Sequence, residues 1–226
     1  MVTASGPQPR RKGAAMPSSQ FEKLLPADRE RIVAASLGEF AEHGYDQAST
    51  NRIVGAAAIS KGVLFKYFAD KASLFEYVAD VSLRDYLRDL PDGAGLDVFE
   101  WIRIATAYKV RFMRQNPTAY RLWLRIMREP DHPVYRRVVA RMTAKVRQPE
   151  MVGQWWETDR LRPGVTSEHI ANLLLWITTG LQEKFVAMMP DGVDDELEAA
   201  LQAVLDECEV YFQILRAGIY GEGEPS

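Results

Sequence analysis

Apolar positions recur at three- and four-residue spacing along most of the chain, and no alternating stretch of any length interrupts them. The pattern predicts an all-α protein of about nine helices. Ile32, Val33, Ser36, Leu37 and Phe40 mark a stripe that opens at Pro26, with Asp28 and Glu30 in its first turn, and closes at Gly44. Ser49 suits the N-cap of a short helix over 50–57 that carries Ile53, Val54 and Ala57 inward. Ser60 opens a second short helix, 61–68, after about two linking residues. Asp70 then starts a longer helix through Leu74, Phe75, Val78, Val81 and Leu87 that ends before Pro91.

Past a turn at 91–95 the spacing predicts helices over 97–116, 117–128, 134–147 and 150–159, punctuated by Pro117, Pro130 and Pro149. Two long helices follow, 167–189 and 193–217, joined by a turn at Pro190, Asp191 and Gly192. Both carry apolar residues on more than one face: Ile170, Leu173, Leu174, Ile177, Leu181 and Phe185, then Leu197, Leu201, Val204, Leu205, Cys208, Tyr211, Phe212 and Leu215. A terminal pair facing water needs one apolar face, so the surplus predicts an interface. Gly180 would let another helix approach closely there, and Cys208 reads as a small buried hydrophobe.

Residues 1–20 almost lack large apolar side chains, and the chain up to residue 24 reads as a disordered basic arm. Its start does not read as a secretory signal, because no apolar stretch follows the basic residues. Arg10, Arg11 and Lys12 are read first as a solvated tail, and more sharply as an arm that tracks phosphates or a minor groove. One cysteine excludes a disulfide framework and any Cys-cluster zinc site, and suits a cytoplasmic protein. No apolar run reaches the roughly 18 residues of a membrane span; the nearest, 170–181, is broken by Asn172, Thr178 and Thr179.

A net charge of −3 argues on its face against a nucleic-acid partner. Its distribution removes that objection. Residues 191–226 hold 1 basic and 10 acidic side chains, whereas residues 90–190 hold 15 and 10. The acidic excess is confined to the C-terminal end.

The two short helices at 50–57 and 61–68, separated by a minimal turn, match a helix-turn-helix layout. In that layout the second helix enters the major groove with its N-terminal residues leading. Lys61 and Lys66 offer charge to phosphates, Gly62 lets the backbone approach, and Val63 suits a thymine methyl. The Tyr67 hydroxyl suits a phosphate oxygen, and the hydroxyls and free N–H groups at Ser49 and Thr50 form a phosphate site. Ser60 caps the reading helix, and Arg52 and Lys71 extend the positive strip. Leu64 and Phe68 share one face and pack inward against Ile53 and Phe40, holding the head without reading bases.

The stretch GYDQASTNRIVGAAAISKGVLFKYFADKASLFEYV resembles the DNA-binding domain of the TetR family of bacterial transcriptional regulators. The shared features are the helix end at Gly44 and Tyr45, Ser49 before Ile53, the Ile59, Ser60, Lys61, Gly62 turn, Leu64, Phe68, and Lys71 before Leu74. The resemblance implies that Lys61, Gly62, Val63 and Lys66 face bases and nearby phosphates, while Ser49, Thr50, Phe65, Tyr67 and Lys71 hold the DNA backbone. Two positions depart from the family pattern. Ala58 stands where a turn glycine is usual, so the backbone there avoids positive φ or accepts strain of about 1 kcal/mol or more. Phe65 stands where tyrosine is common, which removes a phosphate-binding hydroxyl.

Taken together, the expected organisation is a 1–24 arm, a 25–71 DNA-binding domain with a connecting helix at 70–90, and a 72–226 ligand-binding and dimerisation domain. The resemblance implies a homodimer through helices 167–189 and 193–217, bound to double-stranded DNA at a palindromic operator with two reading helices about 34–36 Å apart. It also implies a small apolar or amphipathic effector that tilts the connecting helix and most commonly relieves repression. All five tryptophans lie after residue 100, and an aromatic, Met-rich lining suits such a cavity. Trp101, Tyr108, Phe112, Trp123 and Trp176 are its candidate lining. Arg103, Arg111, Arg114, Arg121 and Arg125 suit either an amphipathic anion or, more simply, exposed faces from which they snorkel.

The rival readings are an enzyme and a helical ligand-binding protein without DNA binding. His43, His132 and His169 lie far apart with no metal-ligand spacing, Cys208 has no histidine near it in sequence, and no glycine-rich phosphate loop is present. No cofactor, metal or catalytic residue is implied, and no membrane partner.

Overall fold

The computed structural model of the chain describes residues 17–91, 96, 98–146, 161–188 and 195–219. Every regular element among them is an α-helix. In chain order these are α1 (Ser19–Glu22), α2 (Pro26–Gln47), α3 (Thr50–Ala56), α4 (Lys61–Tyr67), α5 (Lys71–Arg88), α6 (Val98–Gln115), α7 (Pro117–Arg128), α8 (Pro133–Val146), α9 (Ser167–Met188) and α10 (Asp195–Ile219). The helix expected at 150–159 lies outside the described residues. The chain divides into two compact units, and the division falls within α5, after Ala79, eight residues beyond the boundary expected from sequence.

In the first unit the short helices are held by aromatic and aliphatic side chains that reach full burial. Ile32, Phe40, Ile53, Ala57, Leu64, Phe68, Leu74 and Phe75 are each at most 2% exposed. Each such large side chain contributes roughly 1.5–3 kcal/mol, which offsets the weak intrinsic stability of seven-residue helices. Phe40 meets Phe75 edge-on at 4.9 Å, and Tyr45 meets the same ring at 5.6 Å. Helix α2 does end its regular run at Gly44 (φ 67°, ψ 179°), a backbone conformation open to glycine; helical turns resume to Gln47. Asp70 and Ser73 cap α5 reciprocally, with Ser73 N–H donating to Asp70 Oδ1 (2.7 Å) and Asp70 N–H to Ser73 Oγ (3.0 Å).

One N-terminal expectation is corrected. Residues 17–24, read as part of a disordered arm, form α1 and its flanks, and Phe21 is fully buried against Tyr67, Phe68 and Tyr77 at 5.0–5.5 Å. A single large apolar residue among polar ones has no periodicity to read, yet one aromatic in an aromatic pocket suffices to order a short segment. Ser18 N–H also donates to Tyr67 O at 2.8 Å.

The second unit carries two apolar clusters. Phe99, Ile170, Leu174, Leu181, Cys208 and Phe212 join α6, α9 and α10. Met113, Tyr120, Leu124, Phe185 and Ala200 join α6, α7, α9 and α10. Cys208 is buried, and burial foremost pushes its thiol up to about 11, consistent with a packing role. Lys184 on α9 pairs with Glu207 on α10, and Tyr211 Oη donates to the same carboxylate at 2.7 Å. No helix among the described residues is long and apolar enough to cross a membrane.

Candidate nucleic-acid interface

Helix α4 is fixed from below and free above. Leu64 (1% exposed) and Phe68 (2%) lie in the core of the first unit, while Lys61, Gly62, Phe65 and Lys66 are exposed and Val63 and Tyr67 half-buried. Ser60 Oγ accepts from Val63 N–H at 3.2 Å, capping α4. Ser49 Oγ accepts from Arg52 N–H at 3.5 Å and caps α3; Thr50 is half-buried beside it. The turn between them is tight: Ala58 N–H donates to Gly55 O (3.2 Å) and Ile59 N–H to Val54 O (3.1 Å). It closes with Ala58 at φ 52°, so the alanine accepts the left-handed conformation that a glycine would adopt without strain. Arg31 braces the turn from α2, its Nε donating to Ala57 O at 2.9 Å.

Two cations expected on the DNA strip have partners inside the protein. Arg52 lays its guanidinium on Glu39, with Nε 2.9 Å from both carboxylate oxygens and Nη2 2.6 Å from Oε1, and Nη2 also reaches Gln47 O at 3.0 Å. The Glu39 carboxylate, only 8% exposed, accepts Ser49 N–H at 2.7 Å as well. Burial works against its charge, but the hydrogen bonds from Arg52 and Ser49 outweigh that and hold its pKa below the ordinary value. Lys71 Nζ donates to Asp46 O and Ala48 O, both at 3.2 Å, and lies 4.6 Å from the centre of the Tyr45 ring. Both side chains therefore fasten the α2–α3 connection, a role their spacing in sequence did not disclose. Lys61 and Lys66 make no hydrogen bond or ion pair among the described residues and extend into solvent.

The five residues expected to line a ligand cavity do not all come together. Tyr108 and Phe112 do, both against Tyr86, Tyr108 tilted at 5.4 Å and Phe112 edge-on at 5.3 Å, and Tyr108 Oη donates to Tyr86 O at 2.8 Å. Half-buried Trp101 donates from Nε1 to Pro91 O (3.3 Å), and half-buried Trp123 from Nε1 to the buried Ser82 Oγ (3.0 Å). Trp176 does not join them. It is 66% exposed, because Leu174 takes the inward position on α9 and a residue two further on is turned about 200° away. Of the five arginines weighed from sequence, Arg103, Arg111, Arg114 and Arg121 are exposed and Arg125 is half-buried, which is the snorkelling arrangement. A separate open groove of about 320 Å³ runs between α6 and α10, lined by Phe99, Arg103, Glu209, Phe212 and Arg216 among others, and holds none of the five candidates. No group of three or more metal-ligating side chains occurs among the described residues.

Comparison with known proteins agrees with this arrangement. Residues 32–78 match the family described as bacterial regulatory proteins, tetR family. The chain is 30% identical over 201 residues to the HTH-type transcriptional repressor Rv1474c of Mycobacterium tuberculosis, covering 83% of this chain and 94% of that protein. Among solved structures, a TetR family transcriptional regulator from Chloroflexus aurantiacus shares the fold with a TM-score of 0.57 at 23% identity, over 92% of this chain and all of the other. A TetR-family regulator from a Rhodococcus species does so with a TM-score of 0.58 at 17% identity, over 80% of this chain and 97% of the other. The helix-turn-helix head, the all-α second unit and the near full-length match to a repressor converge, and the chain belongs to the TetR family of bacterial regulatory proteins.

Proposed function

We propose that this protein is a cytoplasmic repressor that binds a palindromic operator as a homodimer and is released by a small molecule. The observation that carries the DNA-binding surface is the strip Lys61, Gly62, Phe65 and Lys66, exposed on a helix whose opposite face is locked by Leu64 and Phe68. Gly62 supports it independently. A Cβ there would meet only Ser60 Oγ at 3.9 Å, so nothing within the protein demands a glycine, while a DNA backbone pressed against the helix would. In this reading Lys61, Gly62, Val63 and Lys66 face base edges and the phosphates beside them, and Ser49, Thr50, Ser60, Phe65 and Tyr67 line the backbone contact. Arg52 and Lys71 shape that surface by holding the α2–α3 connection. The protein is a regulator, not an enzyme.

The dimer reading rests on the outer faces of α9 and α10. Leu175 (40%), Trp176 (66%), Val210 (53%) and Ile214 (64%) are exposed, and Gly180 has open space where a Cβ would stand. A second copy packing there would bury these residues in a four-helix bundle. The effector reading rests on the half-buried aromatic residues Trp101, Phe112 and Trp123 within the second unit.

Selection of genomic fragments retained by the intact protein tests the function. A palindromic consensus is expected, with each arm read by one copy of α4; retention of no fragment even at low salt would overturn the reading. Lys66→Ala should weaken binding to the selected fragment at every sequence variant of it and leave the dimer intact.

A further inference from the structure

Helix α6 carries a charge on its inward face that its composition gives no reason to suspect. Its exposed residues, Glu100, Arg103, Ala107, Arg111, Arg114 and Gln115, share one side. At 100° per residue, Lys109 stands opposite them, at the centre of the inward face. On one flank are Tyr108 and Phe112, in contact with the Tyr86 ring; on the other are Val110 and Met113, packed with Tyr120, Leu124 and Phe185. Burial alone pulls the Lys109 pKa below its ordinary 10.5. Among the described residues no carboxylate and no hydrogen-bond acceptor engages its ammonium. A lysine set between two apolar clusters gives up part of its ammonium's hydration, and an opposite charge brought there offsets that cost.

Lys109 is not sealed off from such a charge. Lys109 and Ala105 near the inward centre of α6, and Phe112 on its flank, each keep part of their surface accessible, while Phe99, Tyr108 and Met113 are sealed. Lys109 can therefore still be reached by a ligand although it stands on the inward face. The exposed arginines of α6 point the other way and do not compete for an anion there.

We infer that Lys109 is the anion-binding group of the effector site, and that the effector is an amphipathic organic anion whose carboxylate or sulfonate meets Lys109 Nζ while its ring or chain lies along Phe112. The inference rests on the effector site proposed above and narrows its ligand to one chemical class. A neutral apolar molecule would leave the ammonium uncompensated, and a small hydrophilic anion would leave the aromatic wall unused.

Two fluorescent probes with the same ring system separate these possibilities: 8-anilinonaphthalene-1-sulfonate, which is anionic, and N-phenyl-1-naphthylamine, which is neutral. The intact protein should bind the sulfonate with one site per chain, quenching tryptophan fluorescence, and decanoate should displace it. Lys109→Met should weaken the sulfonate at least tenfold and leave the neutral probe within about twofold. Lys109→Arg, which keeps the charge, should restore most of the sulfonate affinity, with the far-ultraviolet circular dichroism of both variants matching the parent. Unchanged sulfonate binding in Lys109→Met overturns the inference and leaves the effector site standing. Equal loss of both probes in the Met and Arg variants makes Lys109 a packing residue and also overturns it. Failure of the intact protein to bind either probe overturns the inference and the effector site together.

Discussion

In the first unit the connections between helices are tied by charged and hydroxyl side chains, whereas in the second the helices are joined mainly along apolar seams. Glu39 gathers Ser49 and Arg52, Lys71 gathers the carbonyls of Asp46 and Ala48, and serines cap both short helices. Across α9 and α10 the contacts among the described residues are Ile170, Leu174, Leu181, Cys208 and Phe212, with Lys184 and Glu207 paired at the margin. The division of work proposed for the two units accounts for the contrast. A surface that presents two lysines to a rigid duplex needs its helices fixed to within a fraction of an ångström, and directional bonds provide that. A region that admits a ligand or a second copy gains from non-directional packing, which tolerates small adjustments.

The strongest way to break the contrast is to empty the core of the head. Leu64→Ala should cost roughly 2–5 kcal/mol, because the leucine is 1% exposed and the seven-residue helix above it has little else to hold it. Denaturant unfolding should show an early transition for the head, and operator binding should vanish while the dimer remains. Loss of the dimer at the same protein concentration would mean the two units do not divide the work as proposed. On the other side, Trp176→Glu should raise the dimer dissociation constant by about thirtyfold, about 2 kcal/mol, as expected for an aromatic at the centre of an interface. Sedimentation equilibrium reads it. A dimer unaffected by Trp176→Glu would move the interface off this face.

How far each region could be read from the chain alone differs for the same reason. Caps, tight turns and alternating burial act over three or four residues, so the limits of α3, α4 and α7 follow from sequence to within a residue. The side-chain identity of a cap or a turn residue carries its own explanation, as at Ser49, Ser60 and Ala58. The interactions that escaped reading are those that span many residues. Arg52 meets Glu39 across thirteen positions and Lys71 meets Asp46 across twenty-five, and a lysine or arginine beside a reading helix looks the same whether it serves a phosphate or a carbonyl. In the second unit, periodicity placed the helices but not the outward turn of Trp176. Lys109 falls within the apolar wedge of α6, and a lysine there has the same spacing whether its ammonium reaches solvent or stays inside.

The division between cations that shape the head and cations that serve DNA makes a sharper, smaller test. Replacing Lys66 by Ala should reduce the slope of log affinity against log salt by about 2 per dimer, one phosphate contact per copy. Arg52→Ala should leave that slope unchanged and lower thermal stability instead, by a small amount because the arginine is half in solvent. Glu39→Gln extends the comparison to pH. A carboxylate whose native pKa is lowered contributes its full stabilisation above the unfolded value of 4.5 and loses it as pH falls through the native one. The parent should therefore lose more stability than Glu39→Gln as pH falls below 4.5, as measured by thermal unfolding. A reduced salt slope in Arg52→Ala would return that arginine to the DNA.

The smallest effect runs in the stabilising direction. Ala58 sits at φ 52° in the turn before α4, where its Cβ crowds the backbone, and its N–H is already used by Gly55 O. Glycine relieves the crowding but gives the unfolded chain more freedom to lose. At a left-handed position the first effect outweighs the second, so Ala58→Gly should raise stability by about 1 kcal/mol. Because Leu64 and Phe68 fix α4 independently of the turn, operator affinity should stay within about twofold. Should affinity fall as stability rises, the strain at Ala58 would itself be part of how the reading helix is aimed. The head would then owe its precision to a stressed turn as well as to Glu39 and Lys71.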